Sequence, residues 1–144
     1  MPLIRYINLP QIPAGIIDNL NYNFDQYDQR NRLGDVYLWS DSFNAEVNEW
    51  CRANISKDMY WGFQIISGDL PAHKDIGTEI KLTYLINTGG DGVLTNFYEE
   101  DKITVTNSYN IPAGRWHLLQ ANRYHSVHNV ESVRFSITGR VFPK

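Results

Sequence analysis

From Tyr60 onward the chain is written as short apolar or alternating stretches, each closed by a turn signal. Tyr60–Ser67 is aromatic and β-branched, and Gly68-Asp69 and Pro71 break it. Ile80–Ile86 alternates: Ile80, Leu82, Tyr84 and Ile86 fall on one face, Lys81, Thr83 and Leu85 on the other. Thr88-Gly89-Gly90-Asp91-Gly92 is a strong turn, and Val93–Tyr98 follows it as a strand. Ile103–Ile111 closes at Pro112-Ala113-Gly114, and Arg115–Gln120 and Ser132–Phe142 complete the set. Short strands with regular turns predict a mainly β fold, either a barrel or a double-sheet jelly roll.

The first third reads as mixed, with two helices. One is expected to begin near Pro13, with Ile16, Ile17 and Leu20 on its apolar side and Asn19, Asn21 and Asn23 weakening its far end. The second takes Ser42 as N-cap, carries Phe43, Val47, Trp50 and Cys51 as one stripe, and stops at Asn54. Helices gathered before the strands are expected to buttress one outer face of a sheet. The 144 residues suit one domain, 1–144, with 1–59 as the helical buttress and 60–144 as the β core.

A chain of this length buries a core without staples, so a bound metal would serve function rather than folding. Cys51 is the only cysteine, which excludes an intrachain disulfide and a thiolate-rich zinc site. Net charge is −3 and no long basic run occurs, which argues against a nucleic-acid partner. No apolar run approaches the roughly 20 residues of a membrane span. Met1–Leu9 lacks the charged start and apolar core of a signal peptide, so a cytoplasmic location is expected.

Among four histidines, His73 opens the triplet His73-Lys74-Asp75. In an extended segment, residues two apart point the same way, so one imidazole and one carboxylate would face one point. Two histidines and a carboxylate on one face of a metal form the ligand set of non-haem Fe(II) oxygenases. His125 and His128 compete for the second imidazole; three apart, they would face opposite ways on a strand. His117, beside Trp116, reads as a core or surface histidine.

The last strand carries Val133, Phe135, Ile137 and Val141 on one face and Arg134, Ser136, Thr138 and Arg140 on the other. The polar face is either solvated or the lining of an anion site inside a barrel. Arg134 and Ser136 would then offer a guanidinium fork and a hydroxyl to one carboxylate.

From about Tyr60 to Phe142 the chain resembles the 2-oxoglutarate- and Fe(II)-dependent dioxygenase family. His73, Asp75, His125, Arg134 and Ser136 fill the family's pattern of H-x-D, distal His and Arg-x-Ser in order. His125 lies 52 positions after His73, and Arg134 nine after His125. The segment His125-Ser126-Val127-His128-Asn129 is similar to the distal-histidine stretch of the aspartyl/asparaginyl β-hydroxylase branch; the prolyl hydroxylase branch and small phage and bacterial members look similar too. That spacing favours His125 over His128 and leaves His128 as a rim or supporting residue.

The resemblance implies a double-stranded β-helix, or cupin-like jelly roll, and an Fe(II) site on His73, Asp75 and His125. It implies 2-oxoglutarate as cosubstrate, with its far carboxylate on Arg134 and Ser136. Lys81 is a second candidate for that carboxylate, against a reading as an exposed strand lysine. Arg140 lies six residues, about 20 Å, beyond Arg134, too far for the same carboxylate, and reads as structural or as a substrate-rim residue. Tyr98, Trp61, Phe63 and Asn96 are pocket-lining candidates, with core packing as the alternative for the aromatics. The implied activity is hydroxylation of a C–H bond in an amino acid or protein side chain, using O2. Two other readings stay open: a cupin-like metal protein that does not use 2-oxoglutarate, and a non-catalytic β-sandwich binding module.

Overall fold

A computed structural model describes residues 2–18, 20, 32–33, 36–40, 44–75 and 77–141. Eleven strands and two helices are found among them. In chain order these are β1 (Ile4–Tyr6), α1 (Ala14–Ile17), β2 (Arg32–Leu33), β3 (Tyr37–Ser40) and α2 (Ala45–Asn54). Then follow β4 (Tyr60–Ile66), β5 (Leu70–His73), β6 (Ile80–Asn87), β7 (Leu94–Tyr98), β8 (Val105–Tyr109), β9 (Trp116–Gln120), β10 (His125–His128) and β11 (Arg134–Arg140).

The strands form two antiparallel sheets. The larger runs β1-β9-β6-β11-β4-β3-β2 and the smaller β5-β10-β7-β8. Strands β4 to β11 divide evenly, β4, β6, β9 and β11 in the larger sheet and β5, β7, β8 and β10 in the smaller. The first third is therefore more than a helical buttress, because β1, β2 and β3 extend the larger sheet at both edges. No helix among the described residues is long and apolar enough to cross a membrane.

Period-two alternation sets the layers. Trp61, Phe63 and Ile65 of β4, Leu82 and Tyr84 of β6, and Phe135 and Ile137 of β11 form the outer cluster. Val47 and Cys51 of α2 complete it, and Ile16, Ile17, Leu20 and Trp50 pack against it. Trp61 and Phe63 thus belong to the core under the helices, on the face opposite the pocket. The outer aromatics are also tied to neighbouring backbone: Trp116 Nε1–H donates to the Pro10 carbonyl at 2.9 Å and Trp61 Nε1–H to that of Ser56 at 2.8 Å.

The expected N-cap Ser42, its stripe partner Phe43, and Asn19, Asn21, Asn23 and Phe142 lie outside the described residues. The N-cap of α2 is Asn44, whose side chain accepts from the amides of Glu46 and Val47. The first helix starts directly after Pro13 but lasts only one turn.

Between the sheets, two apolar clusters flank a polar strip. One contains Leu85, Phe97, Ile111 and Leu119, the other Ile66, Leu70, Val93 and Val127. All of β11 is buried. Its polar face, Arg134, Ser136, Thr138 and Arg140, is therefore enclosed rather than solvated. The tight link from β6 to β7 rests on Gly89 and Gly90, at φ 85° and 140°, where a side chain would be strained. A Cβ on Gly89 would also sit 3.0 Å from Arg134 Cβ.

Candidate metal centre

His73 ends β5 and His125 begins β10, and the two are cross-strand partners. Their rings lie 4.5 Å apart between centroids. Asp75 follows β5 in a segment pinned by its own amide, which donates to the Ala121 carbonyl at 2.9 Å. His73, Asp75 and His125 each turn one donor atom inward, all within 4.8 Å of one another. Asp75 Oδ1 stands 3.7 Å from His73 Nε2 and 3.6 Å from His125 Nε2.

The other nitrogen of each ring is committed. His73 Nδ1 lies 2.7 Å from the Pro71 carbonyl and His125 Nδ1 2.7 Å from that of Arg123. A carbonyl only accepts, so both rings carry a proton on Nδ1, and each turns its Nε2 toward the centre as the candidate donor atom. A carbonyl partner that fixes the tautomer is the usual support of a metal-binding histidine. Donors sharing an ion at about 2.1 Å lie no more than about 4.2 Å apart, so loading draws the three inward. On this donor chemistry the residues fit a divalent ion.

Charge around Asp75 is asymmetric. Its Oδ2 faces Lys81 Nζ at 3.4 Å and Arg140 Nη1 at 3.5 Å. Burial pushes the Asp75 carboxyl up, but Lys81, Arg140, His125 and His73 pull it down further, to about 2. Burial pushes the Lys81 ammonium down while Asp75 pulls it back up. Burial, Lys81 and His73 lower His125 to about 4, so it is neutral at physiological pH.

A cavity runs inward from His73 and His125. Gln64, Lys81, Thr83, Thr95, His117, Arg134 and Ser136 supply its polar lining. Arg134 marks the deep end. Its Nη1 donates to the Thr88 carbonyl at 3.0 Å and its Nη2 lies 3.5 Å from Thr95 Oγ1. Burial lowers its guanidinium only to about 10, so it stays charged. Thr83 Oγ1 is buried with no hydrogen-bond partner among the described residues.

Of the sequence candidates, His73, Asp75 and His125 come together, with Lys81 against Asp75 and with Arg134 and Ser136 deeper in the same cavity. His128 faces away, where Tyr98 O–H lies 3.0 Å from its Nε2 and 2.8 Å from Ser126 Oγ. Asn96 accepts from Ser108 Oγ at 2.5 Å. Tyr98 and Asn96 therefore belong to the outer face of the small sheet and do not line the cavity.

Two features escaped sequence reasoning. His117 is fully enclosed and lines the cavity; burial lowers it to about 4. The signal available was parity, since His117 shares a face with Leu119 and pairs with Thr83 of β6. Arg140 meets a carboxylate after all, that of Asp75, with its guanidinium 5.1 Å from the centroid of the Trp39 ring.

No family model matches the chain, and no curated protein matches it. Among solved structures, the chain is similar to the crystal structure of EvdMO1, at 14% identity and a TM-score of 0.47. The match covers 82% of this chain and 38% of that one, so the chain spans well under half the length of that protein.

Proposed function

We propose that the chain is a non-haem Fe(II)- and 2-oxoglutarate-dependent dioxygenase that hydroxylates a C–H bond. Its fold is then a double-stranded β-helix. The even division of β4–β11 supports that reading, with β9-β6-β11-β4 in one sheet and β5-β10-β7-β8 in the other.

One observation carries the proposal: a two-histidine, one-carboxylate centre shares a cavity with a buried, charged arginine. Thr95, beside the Arg134 guanidinium, pairs with Val127, two positions along β10 from His125. Two positions on a strand span about 7 Å. A five-carbon diacid that chelates at one end and presents a carboxylate at the other is about that long.

Iron with 2-oxoglutarate supplies, when bound, conversion of O2, 2-oxoglutarate and a C–H bond into an alcohol, succinate and carbon dioxide. The chain's own residues do the rest. His73 and His125 present Nε2, and Asp75 presents Oδ1. Lys81 and Arg140 hold Oδ2 and keep the carboxylate ionised. Arg134, Ser136 and Thr83 receive the distant carboxylate, and the apolar clusters on either side keep water out.

The test loads Fe(II) anaerobically, adds 2-oxoglutarate, admits oxygen and follows succinate. Succinate formation that disappears in Asp75→Ala and Arg134→Ala is the expected result. Metal uptake without 2-oxoglutarate binding would sink the proposal and leave a cupin-like metal protein. No metal uptake at all would leave a binding module.

A further inference from the structure

Three basic side chains, Lys81, Arg134 and Arg140, are buried between the sheets, and no Asp or Glu among the described residues is buried with them. Among the described residues, Asp75, mostly enclosed, is the carboxylate paired with Lys81 and Arg140. A buried cationic side chain with an unpaired donor favours an anionic partner.

Its place follows from geometry. Arg134 is committed to the deep end. Arg140 ends β11, opposite Lys81 across the ladder and about 20 Å along the strand from Arg134. The guanidinium lies over Trp39, whose indole N–H is fixed by Thr138 Oγ1 at 2.9 Å. Tyr37 also bonds it. Nη1 lies 3.5 Å from Asp75 Oδ2, and the buried Nε has no hydrogen-bond partner among the described residues. The Nε–H of the guanidinium is therefore left for a further acceptor.

We propose that Arg140, backed by Trp39 beside Asp75, binds the carboxylate of an anionic prime substrate. This rests on the dioxygenase reading. The substrate is then a small acid, such as a free amino acid, or a protein Asp or Glu side chain. Its apolar part lies against the indole, and its reacting carbon lies near the carboxylate.

The test uses Co(II)-substituted protein, first titrated with 2-oxoglutarate. Failure at that step counts against the oxygenase reading itself. The complex is next titrated with the twenty free amino acids, with N-acetyl-aspartate amide and N-acetyl-glutamate amide, and with the carboxamide counterpart of each. Visible absorption of the Co(II) centre and thermal shift are read together. At least one acid should bind on the order of 100-fold more tightly than its carboxamide. Arg140→Gln should lose that preference and Arg140→Lys should keep part of it. The free and peptide-borne arms separate the two sources of carboxylate. Equal binding of acids and carboxamides, no binding of any acid at millimolar concentration, or an unchanged preference in Arg140→Gln would overturn the proposal. Should Arg140→Gln lose Co(II), Arg140→Lys decides, because a point charge cannot fork a carboxylate; an unchanged preference there overturns it equally.

Discussion

His73 and His125 face each other across the β5–β10 ladder, and each ring is locked by the carbonyl two residues before it. Two strands thus deliver two Nε2 atoms to one point without help from a bound ion. Preorganisation of this kind means that little conformational entropy is lost on metal binding.

Removal of a ligand is therefore expected to act on metal uptake rather than on folding. His73→Ala, Asp75→Ala and His125→Ala should each weaken divalent-metal affinity by more than roughly 100-fold, beyond what loss of a supporting residue causes. Metal content by mass spectrometry after equilibrium dialysis measures this. His128→Ala, on the outer face, should bind metal like the parent protein.

Acidification should destabilise the metal-free protein between pH 6.5 and 4. His117 and His125 are lowered from 6.5 to about 4, chiefly by burial. In that window the unfolded chain takes up protons that the folded chain refuses, so stability rises with pH and is lost on acidification. Asp75, lowered from 3.8 to about 2, adds a further loss only below that range. The full shift corresponds to on the order of 3 kcal/mol per histidine. Urea titrations at stepped pH check this, and His117→Gln should flatten the dependence. A curve that stays equally steep in His117→Gln would contradict it.

Arg134→Ala should abolish measurable 2-oxoglutarate binding while leaving metal affinity within a few-fold of the parent. The lost contact is a buried charge-assisted one, with an expected cost of 2 kcal/mol or more, about 30-fold or greater. Calorimetric titration of 2-oxoglutarate into metal-loaded protein distinguishes this from a general loss of the site.

Gly62→Ala should destabilise the fold by about 1–3 kcal/mol. A Cβ there would meet the Ser40 carbonyl at 2.6 Å and the Trp39 indole at 2.9 Å. Backbone cannot move aside cheaply, so β3 must lift from β4. Chemical denaturation gives the stability change, and tryptophan fluorescence reports whether Trp39 has shifted.

What could be read from sequence alone was whatever strict alternation or fixed spacing controls. The inward face of β6, Lys81-Thr83-Leu85, and the polar side of β11 follow directly from period two. β5 was hidden because four residues containing Pro71 look like a turn; it is an edge strand, where proline is tolerated. β1 has three residues and exists because β9 offers a free edge, which no local propensity encodes. Trp61 and Phe63 were ambiguous until the helices fixed which side of β4 they cover. Arg140 was rightly distant from Arg134, but its partner Asp75 arrives from a loop after β5, a contact that only the closed sandwich creates.

The sheet order gives the three candidate metal donors unequal footing. His125 stands on β10, flanked by strands on both sides, whereas His73 and Asp75 hang from β5, a four-residue strand at the sheet's edge. Edge segments open locally at a fraction of the free energy of global unfolding. On the proposed metal site, the residence time of an ion would then be governed by fraying of β5. A protein with a high melting temperature can still exchange its metal quickly, and stiffening the core would leave that exchange untouched.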